Sequence, residues 1–214
     1  MMRVKKYVPY VMIAIGFGLI ITGVVVAFTQ QKQNEKIIKI ASADGVTLPT
    51  TKKITESEFQ KYTVAASLPR YIFIPSINVK AIVQSVGLTK NNQIDTPNSI
   101  YDTGWFNQSS KPGQAGATVI DGHFGTWQTK GIFSGISGLK AGTIIQIQKG
   151  DGTKLNYSVV SVKTYPLANV DMNALLNPVN AKTPGLNLIT CSGTVVKGTY
   201  QYDKRVVVFA QLVK

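Results

Sequence analysis

Thr143-Ile144-Ile145-Gln146-Ile147-Gln148-Lys149-Gly150-Asp151-Gly152-Thr153-Lys154-Leu155-Asn156-Tyr157-Ser158-Val159-Val160-Ser161-Val162-Lys163-Thr164-Tyr165 is the stretch on which the fold turns. Two runs rich in Ile, Val and Tyr flank Asp151-Gly152, a pair that readily takes the backbone angles of a tight hairpin turn. Working outward from this hairpin, similar short runs are punctuated by Gly, Pro, Asn and Asp clusters from about Leu68-Pro69 onward. The predicted strands are Tyr71–Ile74, Val79–Val86, Ala117–Asp121, Thr143–Gln148, Lys154–Tyr165, Leu186–Thr190 and Arg205–Leu212. Helix should be scarce, with one short piece around Glu56–Ala66. Roughly 145 residues with seven or eight such strands fit a mainly β domain, either a closed or nearly closed barrel or a sandwich.

The amino-terminal part is of another kind. Tyr7 to Phe28 carries no charged residue over 22 positions, long enough to cross a bilayer as a helix. Arg3, Lys5 and Lys6 precede it with no acidic residue nearby, which places the amino end in the cytoplasm and everything after Phe28 outside. A cleaved signal peptide is the competing reading, with Ala41-Ser42-Ala43 as its small-residue site. That site lies far beyond the apolar run, so a retained anchor is favoured. The chain therefore divides into a cytoplasmic tip and anchor (1–28), a polar stalk (29–67) and a β domain (68–214).

All ten acidic residues and twenty of the 23 basic ones follow the span, which leaves that portion with a formal charge of +10. Outside a membrane this charge suits anionic head groups and acidic wall polymers, and nucleic acid is not an expected partner. A generally solubilising Lys-rich surface accounts for it equally well. Cys191 is the single cysteine. In an oxidising compartment it cannot pair within the chain, so it is either inert packing or a nucleophile.

Three rare residues stand beside predicted strands. His123, the only histidine, follows Ala117-Thr118-Val119-Ile120-Asp121-Gly122; Cys191 follows Leu186-Asn187-Leu188-Ile189-Thr190; Arg205 precedes Val206-Val207-Val208-Phe209. Strand ends distant in sequence converge on one rim of a barrel. A thiolate, an imidazolium and a guanidinium brought together there would suit acyl transfer: nucleophile, proton carrier and stabiliser of negative charge. Taken singly, each has an ordinary reading as a turn, packing or solvated residue. One histidine and scattered carboxylates give no expected metal site, and no cofactor is called for.

The segments Leu188-Ile189-Thr190-Cys191, Gly122-His123 and Arg205 with Val-Val-Val-Phe-Ala resemble the signature strands of sortases. Tyr71-Ile72-Phe73-Ile74-Pro75-Ser76-Ile77 is similar to the family's opening strand, and Pro112-Gly113-Gln114-Ala115-Gly116 to its lead-in to the histidine strand. The resemblance spans Leu68 to Lys214. It departs at Asn187, where many relatives have Thr. It implies an eight-stranded barrel and a cysteine transpeptidase with Cys191, His123 and Arg205 as catalytic residues. Its substrate would be a secreted protein with a Leu-Pro-x-Thr-Gly-like sorting signal, and its acceptor an amino group on a cell-wall precursor or another protein. Thr190, beside the nucleophile, is a candidate hydrogen-bond donor to substrate. Trp127 either lines the groove or caps the barrel.

Rivals are a noncatalytic tethered domain that binds wall polymer, and a wall-cross-linking Cys/His transpeptidase whose glycine- and serine-framed cysteine motif is not matched. In the stalk, Leu48-Pro49-Thr50-Thr51-Lys52 has the first four positions of a sorting signal with Lys for the final Gly. It is either a linker by composition or a tethered pseudo-substrate.

Overall fold

In the computed structural model, residues 49–126, 129–197, 199 and 201–213 are described, with positions 25, 26, 29, 31 and 32 ahead of them. Of the predicted span, Val25 and Val26 alone are described, both helical and exposed; the rest of it lies outside the described residues. Among the described residues no helix is long and apolar enough to cross a membrane. The chain separates into two compact units, residues 1–48 with 198–200, and residues 49–197 with 201–214. The second unit holds the β domain.

Eight strands form it: β1 Pro69–Ile74, β2 Val79–Val86, β3 Thr103–Phe106, β4 Ala117–Gly122, β5 Ile144–Lys149, β6 Lys154–Pro166, β7 Gly185–Val195 and β8 Tyr202–Val213. They close into a barrel in the order β1-β2-β3-β4-β7-β8-β6-β5. Two pairs, β2 with β3 and β4 with β7, are parallel, and the rest are antiparallel. The β5–β6 hairpin turns at Asp151-Gly152 as its sequence dictates. Gly152 sits at φ +85°, and its N–H donates to the Lys149 carbonyl at 3.0 Å.

Closure gives the barrel an interior filled by one face of each strand. Ile72 and Ile74, Ile145 and Ile147, Leu186 and Leu188, and Val206 and Val208 meet there with Phe133 and Tyr157. The opposite faces of β4, β7 and β8 are buried as well. Val119, Ile189, Val207 and Phe209 pack with Phe106 and with Leu175 of a short helix, Met172–Leu176, in the β6–β7 connection. Burial on both faces is why these strands read as near-continuous apolar runs and not as alternating patterns.

The expected strand set lacks β3. Its four residues, Thr-Gly-Trp-Phe, are all buried, so they show no alternation, and glycine weakens the propensity signal. Two expected boundaries are also moved. β7 runs past Cys191 to Val195, and β8 starts at Tyr202, so Cys191 and Arg205 lie inside a continued ladder and not at strand ends. Backbone pairing extends the strands through Ser192, Lys204 and Asp203, residues whose polarity hides it.

The segment before β1, expected as stalk with a short helix around Glu56–Ala66, carries that helix as α1 (Glu56–Lys61), so the short helix of the β6–β7 connection is α2. Thr55 and Glu58 close a capping box at the start of α1, with the Thr55 N–H donating to Glu58 Oε2 at 2.7 Å. Phe59 is buried on Tyr71, ring centroids 4.3 Å apart, and on Ile82.

Asn187 explains its own departure from Thr. On the outer face of β7, its side-chain Nδ2 donates to the carbonyls of Leu175 at 2.7 Å and Asn177 at 3.0 Å. These are the carbonyls that the end of α2 cannot satisfy internally. A distant strand thus caps the helix and ties the crossover down. Replacing Asn187 by Ala should lower the urea midpoint by the equivalent of about 1–3 kcal/mol, the cost of leaving buried carbonyls without donors. A midpoint equal to the parent's would show that α2 is held by apolar contact alone.

Candidate active site

Strand register assembles the three rare residues. Cys191 of β7 is the direct cross-strand partner of Arg205 of β8, two residues beyond the Ile189–Val207 pair. Since Ile189 and Val207 face the outer cluster and the side-chain period is two, Cys191 and Arg205 face outward also. Directly paired residues on one face have Cβ atoms about 5 Å apart. On the other side of β7, Asp121 pairs in parallel with Ile189. β4 ends at Gly122, so His123 leaves the strand at the level of Cys191.

The end of β4 is fixed in place. Thr190 Oγ1 donates to the Gly122 carbonyl at 2.7 Å, binding the cysteine strand to the residue before the histidine. Its hydroxyl proton is therefore engaged by backbone, which gives Thr190 a part in positioning the end of β4. Gly122 has to be glycine: a Cβ there would come within 2.5 Å of the Phe133 ring. Phe133 N–H donates to the His123 carbonyl at 3.0 Å, which anchors the histidine backbone from the β4–β5 connection.

The imidazole is anchored through Nε2, 2.8 Å from the Pro97 carbonyl. A carbonyl only accepts, so Nε2 carries the proton. Burial pulls the His123 pKa below its ordinary value, and the Pro97 contact partly opposes this. Cys191 is half-buried and free. Burial pushes its thiol up to about 11; the Arg205 charge opposes that rise and Asp121 adds to it. At neutral pH both groups are therefore uncharged at rest. Arg205 Nη1 donates to its own strand's carbonyls, Tyr202 at 3.0 Å and Lys204 at 2.9 Å, and makes no salt bridge among the described residues. Its charge is held beside Cys191 without being neutralised.

Trp127 lies outside the described residues, as does Leu48. Of the sorting-signal-like segment, Thr50 N–H donates to the Asn98 carbonyl at 2.7 Å and its own carbonyl accepts from Ile100 N–H at 3.0 Å, while Ser99 Oγ donates to the Lys52 carbonyl at 3.1 Å. The segment lies along the loop whose Pro97 holds His123. A cavity of about 360 Å³ opens between the residues that follow this segment, α1 and β2, lined by Lys53, Phe59, Lys80, Asp102 and Lys130; neither Cys191, His123 nor Arg205 lines it. Among the described residues no group of three His, Cys, Asp or Glu could hold a metal ion. Sequence reasoning passes over Asp121, although a carboxylate ending the buried run Ala-Thr-Val-Ile is a visible signal.

The Sortase domain profile matches residues 72–213, two-thirds of the chain and nearly the whole barrel. The chain belongs to the sortase family. Solved sortases share its fold at low identity. Sortase C-1 of Actinomyces oris is 18% identical with a TM-score of 0.55, covering 86% of this chain and 99% of that one. Sortase A of Corynebacterium diphtheriae is 19% identical with a TM-score of 0.54, covering 85% and 82%. The sortase D5 transpeptidase of Clostridium perfringens is 19% identical with a TM-score of 0.51, covering 85% and 98%. No curated protein sequence matches significantly.

A thiol at about pKa 11 has on the order of a hundredfold less thiolate at pH 7 than an ordinary cysteine. Alkylation of Cys191 by iodoacetamide should therefore be slow at pH 7 and climb through pH 9 to 11, and Arg205→Gln should slow it further at every pH below that. A rate matching a free cysteine at pH 7 would overturn this electrostatic picture.

Proposed function

We propose that this sortase is a membrane-anchored cysteine transpeptidase, held by a helix over Tyr7–Phe28 with its barrel outside the cell. It cleaves a carboxy-terminal sorting signal of the Leu-Pro-x-Thr-Gly kind in secreted proteins and transfers them to an amino group of a cell-wall precursor or another protein. The observation that carries this reading is the pairing of Cys191 with Arg205 across β7 and β8, beside the Gly122–His123 end of β4, within a barrel of the sortase family.

The chemistry starts from the resting state. The Cys191 proton passes to the imidazole, producing a thiolate and an imidazolium, a minor form that the Arg205 charge favours. The sulfur attacks the Thr carbonyl of the signal, and the electron pair moves to the carbonyl oxygen, where the guanidinium can meet it. Collapse breaks the Thr-Gly bond as His123 returns the proton to the departing Gly amine, leaving a thioester on Cys191. An incoming amine attacks the thioester, gives up its proton to the neutral imidazole, and forms the amide as the thiolate departs. No water enters the balance unless the acceptor is absent, in which case it hydrolyses the thioester. Arg205 suits this role better than Lys because its planar fork can keep one nitrogen on the Tyr202 and Lys204 carbonyls while the other turns to substrate.

The full chain incubated with a Leu-Pro-x-Thr-Gly peptide and an amine should give a thioester adduct at Cys191 and then an amide product. Cys191→Ala should give neither while keeping its fold, His123→Ala should be slower by about 10²–10⁴, and Arg205→Lys should be well below the parent. Turnover by Cys191→Ala would remove the assignment, and a folded parent inert to every signal peptide but bound to wall polymer would favour the noncatalytic tethered domain.

A further inference from the structure

Asp121 has no part in the chemistry above, yet it shares the outer face with the residues that do. It lies two residues short of the level of Cys191 along β7, since it pairs with Ile189, and β8 brings Arg205 to the level of Cys191 from the far side. On β3 its partner is Gly104, which has no side chain to cover it. The β2–β3 connection contributes Asp95, and the Gly122 N–H is its nearest donor. The charged and titratable groups about Asp121 are thus one cation, Arg205, one thiol, Cys191, one like charge, Asp95, and the imidazole of His123 two residues on. No salt bridge joins Asp121 to Arg205, so the guanidinium is within electrostatic reach of both the carboxyl and the sulfur and is locked to neither.

We propose that Asp121 is a positioning residue whose charge sets how Arg205 is shared, drawing the guanidinium's influence away from the Cys191 sulfur when ionised and releasing it when protonated. Burial, with some help from Asp95, pushes the Asp121 carboxyl up to about 7, against the Gly122 N–H and Arg205, which puts its titration in the working pH range. Above that pH two negative charges, the Asp121 carboxylate and the Cys191 thiolate, compete for one guanidinium, and the thiolate is disfavoured. Below it the carboxyl is neutral and the full Arg205 charge acts on sulfur. A thiol titrating alone gives a logarithmic alkylation rate that rises with unit slope below its pKa. Coupling to Asp121 bends that line to a shallower slope near pH 7.

The inference rests on Cys191 being the nucleophile of the proposed transpeptidase, but its test reads the thiol directly and needs no signal peptide or acceptor. Iodoacetamide alkylation of Cys191 in the full chain, followed from pH 5 to 10, should show the bend near pH 7. In Asp121→Asn the bend near pH 7 should be lost, leaving only what His123 contributes at lower pH, and the rate above pH 8 should be about threefold higher or more, a thiol pKa lower by about half a unit. Superimposable profiles for parent and variant would overturn the proposal, since a purely structural carboxyl would leave thiol titration unmoved. If Asp121→Asn does not fold, carbon-13 NMR of the Asp121 carboxyl in the parent decides. Its midpoint should lie near pH 7 and rise in Arg205→Gln; a midpoint indifferent to Arg205 would equally overturn it. Failure of transfer with an intact bend would count against the reaction and not against this coupling.

Discussion

The parallel pairing of β4 with β7 is the constraint from which the rest of the site is built. It aligns Asp121 with Ile189 and ends with Gly122 beside Thr190, where the Thr190 hydroxyl fastens the two strands. A parallel neighbour cannot be reached through a tight turn, so the chain between Gly122 and Gly185 has to travel. On the way it builds β5 and β6, which close the barrel, and then α2, which returns over the outer face of β4, β7 and β8. The connection demanded by topology thus becomes the outer cover of the strands that carry Cys191, Arg205 and Asp121. Asn187 binds that cover to β7 through two carbonyls at the end of α2.

Burial at the site itself has an electrostatic consequence. Withdrawal from water raises the thiol of Cys191 and the carboxyl of Asp121 and lowers the imidazole of His123, so each group is driven toward its neutral form. Such a site is stable at rest and poor as a nucleophile. The Arg205 cation counteracts this, and its cross-strand position delivers it to the sulfur without a salt bridge, among the described residues, that would cancel it. The unit register spacing matters here. At position 204 or 206 the side chain would stand on the other face of β8, and Val206 indeed lies in the barrel interior.

The legibility of these features in the sequence tracks how local their causes are. The β5–β6 hairpin is readable because Asp151-Gly152 and its flanking runs act within a few residues, and the capping box at Thr55 and Glu58 is equally local. The doubly buried strands are readable as apolar runs, and their signature residues carry the sortase resemblance. β3 is not, because four buried residues offer neither length nor alternation. The full extent of β7 and β8 is hidden because their continuation through Ser192 and Asp203 is maintained by pairing with each other, a contact that propensity does not record. The tasks of Asn187 and Thr190 depend on α2 and Gly122, which are distant in sequence. Both residues stand in the signature run before Cys191, but their partners are supplied only by the fold.

Rigidity and adaptability are divided along the same line. Cys191 and Arg205 stand on strands buried on both faces, and the histidine beside them is pinned through its backbone by Phe133 and through its ring by Pro97. The placement that the proposed transfer needs therefore comes from the barrel. Beyond Gly122 the β4–β5 connection meets the start of β8, where the Tyr202 hydroxyl donates to the Gly125 carbonyl at 3.3 Å and Phe124 packs edge-on against Tyr202 at 5.4 Å. Substitution in that connection leaves the register of β4, β7 and β8 untouched, because none of their ladder bonds passes through it. A barrel of this design can keep one thiol, one imidazole and one guanidinium in fixed relation while the loops around them change independently.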